Sequence, residues 1–128
     1  MFTMRLTGGS PIYEQLEKRI TELILSGEMA ENEKLPAVRE IAKQLSINPN
    51  TVQRTYASLE AKGLIYSIPA KGSYVAAQMS YFDSLRKKST DAFSEAARNA
   101  LKNGLTAEEL HNIINSVSEE VDNDDENK

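Results

Sequence analysis

Asn50, Thr51, Gln53 and Arg54 place an amide, a hydroxyl, a second amide and a guanidinium within five consecutive residues. At the opening of a helix this set suits hydrogen bonding to nucleic acid. Amides pair with adenine edges, and hydroxyl and guanidinium groups take phosphate oxygens, with Arg54 the better candidate for backbone. The alternative is an ordinary solvated helix face. Arg39, eleven positions upstream of Asn50, could reach a phosphate or a guanine edge bidentately, or remain a surface arginine. Lys71 and Gly72 could bring backbone close to a minor groove or its phosphates, or could form a plain hairpin turn. Other chemistries find little material. His111 is the only histidine and there is no cysteine, so a metal site lacks ligands. Glu108 and Glu109 are adjacent in a first helical turn, where they favour the dipole and do not face each other as a catalytic pair would. No phosphate-cradling Gly-rich loop or nucleophile elbow occurs, so no enzymatic activity and no cofactor is expected.

The elements that must position these residues follow from capping and periodicity. Asn48 is a good N-cap and Pro49 a good first helical residue, which fixes the start of a helix running to Gly63. Val52, Tyr56 and Leu59 face a core, and Lys62 sits favourably at the negative end of the helix dipole. A helix from about Ala37 or Val38 to Leu45 buries Val38, Ile41, Ala42 and Leu45. Only a few residues separate it from Asn48, so the pair reads as a helix-turn-helix. Upstream, Ser10-Pro11 repeats the cap-then-proline start of a helix with Ile12, Leu16, Ile20, Leu23 and Ile24 on one face, ending at Gly27. Gly8 and Gly9 mark a flexible arm before it. Glu28 to Lys34 reads as a surface loop. Leu64 to Ile68 and Ser73 to Val75 are β-rich runs around Pro69 to Gly72, which makes a hairpin, or wing, with Lys71 at its tip.

Beyond Ala77 helical patterning returns. Phe82, Leu85, Ala92, Phe93, Ala96, Ala100 and Leu101 form an apolar stripe interrupted by Arg86 to Thr90, and Gly104 ends it. Thr106 with Glu109 makes a capping box, and Leu110, Ile113, Ile114, Val117 and Val121 line the helix that follows. The fold class is therefore mainly α with a small β-hairpin: a winged helix-turn-helix over residues 1–77, a two-helix segment over 78–121, and a disordered acidic tail over 122–128. One recognition helix touches few base pairs, so a two-fold dimer is expected, built from Phe82, Leu85, Phe93, Leu101, Leu110, Ile113, Ile114 and Val117. Folding of these helices back onto the first helix is the alternative.

The net charge of −4 argues against nucleic acid only as an average. From Lys34 to Ala77 six basic residues oppose two acidic ones, while both flanks are net acidic, so one face would meet DNA. The absence of cysteine, of an apolar run long enough for a membrane span, and of a leader points to a cytoplasmic protein without membrane contact.

Four blocks carry a family likeness: Leu35-Pro36-Ala37-Val38-Arg39-Glu40-Ile41-Ala42, Asn48-Pro49-Asn50-Thr51-Val52, Leu59-Glu60-Ala61-Lys62-Gly63-Leu64-Ile65, and Gly72. Over roughly residues 10–77 they resemble the winged-helix domain of GntR-family bacterial transcription regulators. The short helical tail resembles the YtrA-type subgroup. The resemblance implies a homodimeric repressor of double-stranded DNA operators, often those of membrane-transporter operons. Departures accompany it. Ala37 stands where Ser is expected, removing a capping hydroxyl worth about 1 kcal/mol. Glu31-Asn32-Glu33 replaces a Pro-Gly turn. Pro49 and Gln53 stand where relatives in other subgroups carry Arg, so their base preference does not transfer. Two other readings stand beside this one. A winged helix can serve as a protein-interaction module, which the acidic charge would suit, and a ligand-gated regulator could hold an effector of unknown identity at the helical dimer seam.

Overall fold

Asn48 begins the element on which the architecture depends. In a computed structural model describing residues 4–126, its side-chain Oδ1 accepts the Asn50 N–H at 2.8 Å, and Pro49 opens the helix. In chain order the elements are α1 (Ile12–Leu25), α2 (Val38–Leu45), α3 (Pro49–Ala61), β1 (Ile65–Ile68), β2 (Gly72–Val75), α4 (Gln78–Lys102) and α5 (Ala107–Glu126). The chain divides into two compact units between Arg86 and Lys87, inside α4 rather than at its start.

In the first unit, α1 contributes Leu16, Ile20 and Ile24 to the core, α2 Ile41 and Ala42, and α3 Val52, Thr55, Tyr56 and Leu59. Leu64, Ile65 and Val75 of the hairpin region close it, with Met29 and Leu35 from the α1–α2 connection. Burying these side chains, each worth about 1.5–3 kcal/mol for the larger aliphatics, drives the three helices together. Tyr56 is core as expected, and its hydroxyl donates to the Pro36 carbonyl at 2.6 Å. The turn between α2 and α3 is closed by Ser46 in the left-handed region (φ 54°) and by the Ile47 N–H donating to Ala42 O at 2.9 Å. That bond satisfies a carbonyl at the end of α2 and turns the chain sharply into α3.

β1 and β2 pair antiparallel with Ile65 opposite Val75 and Ile68 opposite Gly72. The stretch expected as a surface loop reaches further than that. The Asn32 N–H donates to Val75 O at 2.8 Å, the Val75 N–H to Glu33 O at 2.9 Å and the Leu35 N–H to Ser73 O at 2.8 Å. Glu33 to Leu35 thus lie along the free edge of β2, with Lys34 bridged to Tyr74. Backbone pairing of this kind needs no apolar side chains, so the polar run from Glu28 to Lys34 concealed it.

Three other local expectations change. α1 is preceded by Pro11 at its N-cap and has no side-chain cap, so Ser10 does not cap it. The Ser10 carbonyl instead accepts Gln15 Nε2 at 2.7 Å. The arm before α1 is tied down as well, because Gln15 Oε1 accepts the Thr7 N–H at 2.8 Å and Gln15 Nε2 also donates to Thr7 O at 2.8 Å. Finally, α5 continues to Glu126, so Asp122 to Glu126, expected to begin a disordered tail, are helical. No Gly or Pro interrupts that run, and extension adds one backbone bond for each residue fixed. Asn127 and Lys128 of the expected tail lie outside the described residues.

The second unit holds the rest of α4 and all of α5. The polar stretch from Arg86 to Thr90 does not break α4, which is one continuous helix. The capping box forms as its sequence spacing predicts: the Glu109 N–H donates to Thr106 Oγ1 at 3.1 Å and the Thr106 N–H to Glu109 Oε1 at 3.4 Å. Phe93, Leu101, Ile113, Ile114, Val117 and Val121 are exposed, Phe93 by 56%.

Candidate nucleic-acid interface

The capped start of α3 sorts its side chains onto two sides. Val52, Thr55, Tyr56 and Leu59 are buried, while Asn50, Gln53 and Arg54 are exposed and Thr51 is half-buried. The 100° step between residues puts Asn50 and Arg54 opposite the buried face, with Gln53 on one flank. Arg39, the second residue of α2, is exposed as well. Ala37 leaves α2 without a side-chain cap, the consequence expected from its sequence.

The hairpin supplies the wing. A turn from Ile68 to Lys71 is closed by the Lys71 N–H donating to Ile68 O at 3.0 Å, and Ala70 takes a positive φ of 65° there. Lys71 is exposed at this tip. Gly72 takes φ 131°, and the Lys34 side chain passes close enough that a Cβ on Gly72 would meet Lys34 Cε at 3.0 Å. Edge pairing therefore brings a second lysine to the wing. The wing is held to α3 by Glu60 Oε1, which accepts the Ser67 N–H at 3.1 Å.

The basic residues divide into spent and unspent charges. Lys62 is the C-cap of α3, and its Nζ pairs with Glu17 Oε1 on α1 at 2.8 Å. Ser58 Oγ donates to the same carboxylate oxygen at 2.6 Å. Burial pushes the Glu17 carboxyl up, but these two hydrogen bonds and the Lys62 charge offset that and hold it below the ordinary value. Lys62 thus braces α1 against α3. Burial, and then the nearby Glu40 charge, push the Tyr56 hydroxyl well above its ordinary value, so it stays a neutral donor. Among the described residues no carboxylate pairs with Lys34, Arg39, Lys43, Arg54 or Lys71. Arg54 instead lies over the Tyr13 ring of α1, its guanidinium carbon 3.9 Å from the ring centroid.

Sequence reading missed two of these features. Lys34 could have been suspected, because Leu35 precedes Pro36 and is biased toward extended backbone. Tyr13 and Arg54 are separated by 41 residues, and no local pattern links them. Among the described residues no cluster of His, Cys, Asp or Glu could hold a metal ion, and no helix is long and apolar enough to cross a membrane.

Three helices with a short α2–α3 turn, a hairpin wing and an exposed polar face on α3 define a winged helix-turn-helix protein of the DNA-binding regulator class. The family described as "Bacterial regulatory proteins, gntR family" matches residues 12–75. The chain belongs to the GntR family, with a YtrA-type architecture. It is 33% identical over 114 residues to the HTH-type transcriptional repressor YtrA of Bacillus subtilis, covering 88% of each chain. YtrA from Sulfolobus acidocaldarius, a GntR-family transcription factor, aligns with a TM-score of 0.54 at 32% identity, covering 94% of this chain and 99% of that one. The DNA-binding domain of AraR, solved in complex with operator ORR3, aligns with a TM-score of 0.50 at 27% identity, covering 59% of this chain and 93% of that one.

Proposed function

We propose that this GntR-family regulator is a homodimeric repressor that acts in the cytoplasm on a palindromic operator. Asn50, Thr51 and Gln53 enter the major groove, Arg39 reaches a phosphate or guanine edge, Arg54 holds the backbone, and Lys71 with Gly72 lies against the neighbouring minor groove. The observation that carries this reading is the sorting of α3: Asn50, Gln53 and Arg54 are exposed while its apolar residues are buried, and among the described residues no carboxylate pairs with Arg39, Arg54 or Lys71. The operator complex of AraR supports the same docking class. The subgroup makes operons of membrane transporters the first place to look for the operator.

Dimerisation rests on the exposed apolar side chains of α4 and α5, Phe82, Leu85, Phe93, Leu101, Ile113, Ile114 and Val117, with the half-buried Leu110 beside them. Apolar surface of this kind finds cover in a self-complementary contact. The full chain should sediment as a dimer, and Val117→Glu, at a position 49% exposed, should give a folded monomer. A full-length monomer would refute the dimer. Arg39→Ala should weaken binding to a duplex selected from random DNA by about 1–3 kcal/mol. Unchanged affinity in a mobility-shift titration would remove Arg39 from the interface.

A further inference from the structure

The contact between Arg54 and Tyr13 joins the candidate interface to an element with no expected part in it. Arg54 stands on the exposed side of α3, and its guanidinium carbon lies 3.9 Å from the centroid of the Tyr13 ring in the first turn of α1. The backbone that carries the ring is itself anchored. Tyr13 is half-buried, and its carbonyl accepts the hydroxyl of Thr55, the residue after Arg54, at 3.5 Å. Thr55 is fully buried, and its hydroxyl also reaches Thr51 O at 3.0 Å. The platform under the guanidinium is thus bound to the same helix that carries the guanidinium.

We propose that Tyr13 is a positioning residue for DNA binding, holding Arg54 ready to donate to a phosphate before DNA arrives. This rests on the assignment of Arg54 to the DNA backbone made above. A cation over a ring face is held by the ring's quadrupole and keeps its N–H donors available, whereas a carboxylate partner would occupy them. Lys62 shows the contrast, because Glu17 Oε1 takes one of its donors at 2.8 Å. The stacked arginine has already given up much of its rotamer freedom, so less is lost when a phosphate takes its donors. The hydroxyl of Tyr13 has a minor part, since it donates a long 3.4 Å hydrogen bond to Glu14 Oε1 on an exposed surface.

The test uses the full chain and a fluorescent 30-base-pair duplex of random sequence, because a backbone contact does not depend on the operator. Tyr13→Phe keeps the ring and should bind like the parent. Tyr13→Leu removes it and should weaken binding about two- to tenfold for each subunit bound, the cost of immobilising one rotamer-rich side chain that the ring no longer holds. Arg54→Ala should weaken binding further and lower the salt slope by about one for each subunit. In the Arg54→Ala background, Tyr13→Leu should have no added effect.

Two results overturn the role of Tyr13 while leaving Arg54 at the interface. One is an unchanged affinity for Tyr13→Leu when Arg54→Ala weakens binding. The other is an equal loss from Tyr13→Leu with and without Arg54, which would make Tyr13 a structural residue of α1. An unaffected Arg54→Ala variant overturns the backbone assignment of Arg54, and the inference with it.

Discussion

Gly63 and Gly27 both follow helices and both take positive φ, 81° and 86°, yet alanine should affect them very differently. At Gly27 an added Cβ meets nothing within 4 Å, so Gly27→Ala carries only the backbone penalty. A left-handed non-glycine residue costs roughly 1–2 kcal/mol, partly offset by about 0.4–1 kcal/mol from a stiffer unfolded chain. A net loss of about 1 kcal/mol is expected. At Gly63 the same Cβ would lie 2.8 Å from the Ser80 carbonyl oxygen and 3.4 Å from the Tyr81 Cα, which are backbone atoms at the start of α4. Those atoms are fixed, because Tyr81 packs on the core and the Gln78 side chain donates to Ile24 O and Leu25 O at 3.2 Å. Overpacking of this kind adds roughly 1–3 kcal/mol, so Gly63→Ala should lose about 2–4 kcal/mol in all. Urea unfolding followed by circular dichroism would place the Gly63→Ala midpoint clearly below that of Gly27→Ala at unchanged slope. Equal midpoints would show that the start of α4 is not seated against the end of α3.

Asn48→Ala removes the cap of α3 and should cost about 0.5–2 kcal/mol, while Asn48→Gly should cost only a few tenths. Thermal unfolding separates the two, and a Gly variant as damaged as the Ala variant would disprove the capping role. Glu17 has its folded pKa held below the ordinary 4.5, so its contribution to stability is present above that value and disappears as pH falls through the lower folded value. Glu17→Gln should therefore unfold with a shallower pH dependence below about 4.5 than the parent, as measured by denaturant titrations at stepped pH. Parallel acid limbs for the two proteins would remove the Glu17–Lys62 pair as the cause.

The features legible in sequence were those set by short spacing. Asn48-Pro49, Thr106 with Glu109, and the Pro69 to Gly72 turn each act within a few residues, and the helix start, capping box and wing appear where those residues stand. What escaped depended on distant backbone or on side chains meeting across elements. Asn32 to Leu35 pair with β2 through main-chain groups that carry no compositional mark. Gln15 holds the arm at Thr7 although two glycines intervene, because one amide can donate and accept at once. At the candidate interface, the exposure of Asn50, Gln53 and Arg54 followed from periodicity, whereas the Tyr13 platform and the approach of Lys34 to the wing required the folded chain.

The most direct test of the central claim is the salt dependence of full-chain binding to a selected duplex, measured by fluorescence anisotropy. Arg39, Arg54 and Lys71 from each of two subunits, each neutralising one phosphate, predict a log–log slope of roughly −5. A slope near zero, or binding that does not distinguish the selected duplex from random sequence, would contradict sequence-specific docking through α3 and the wing.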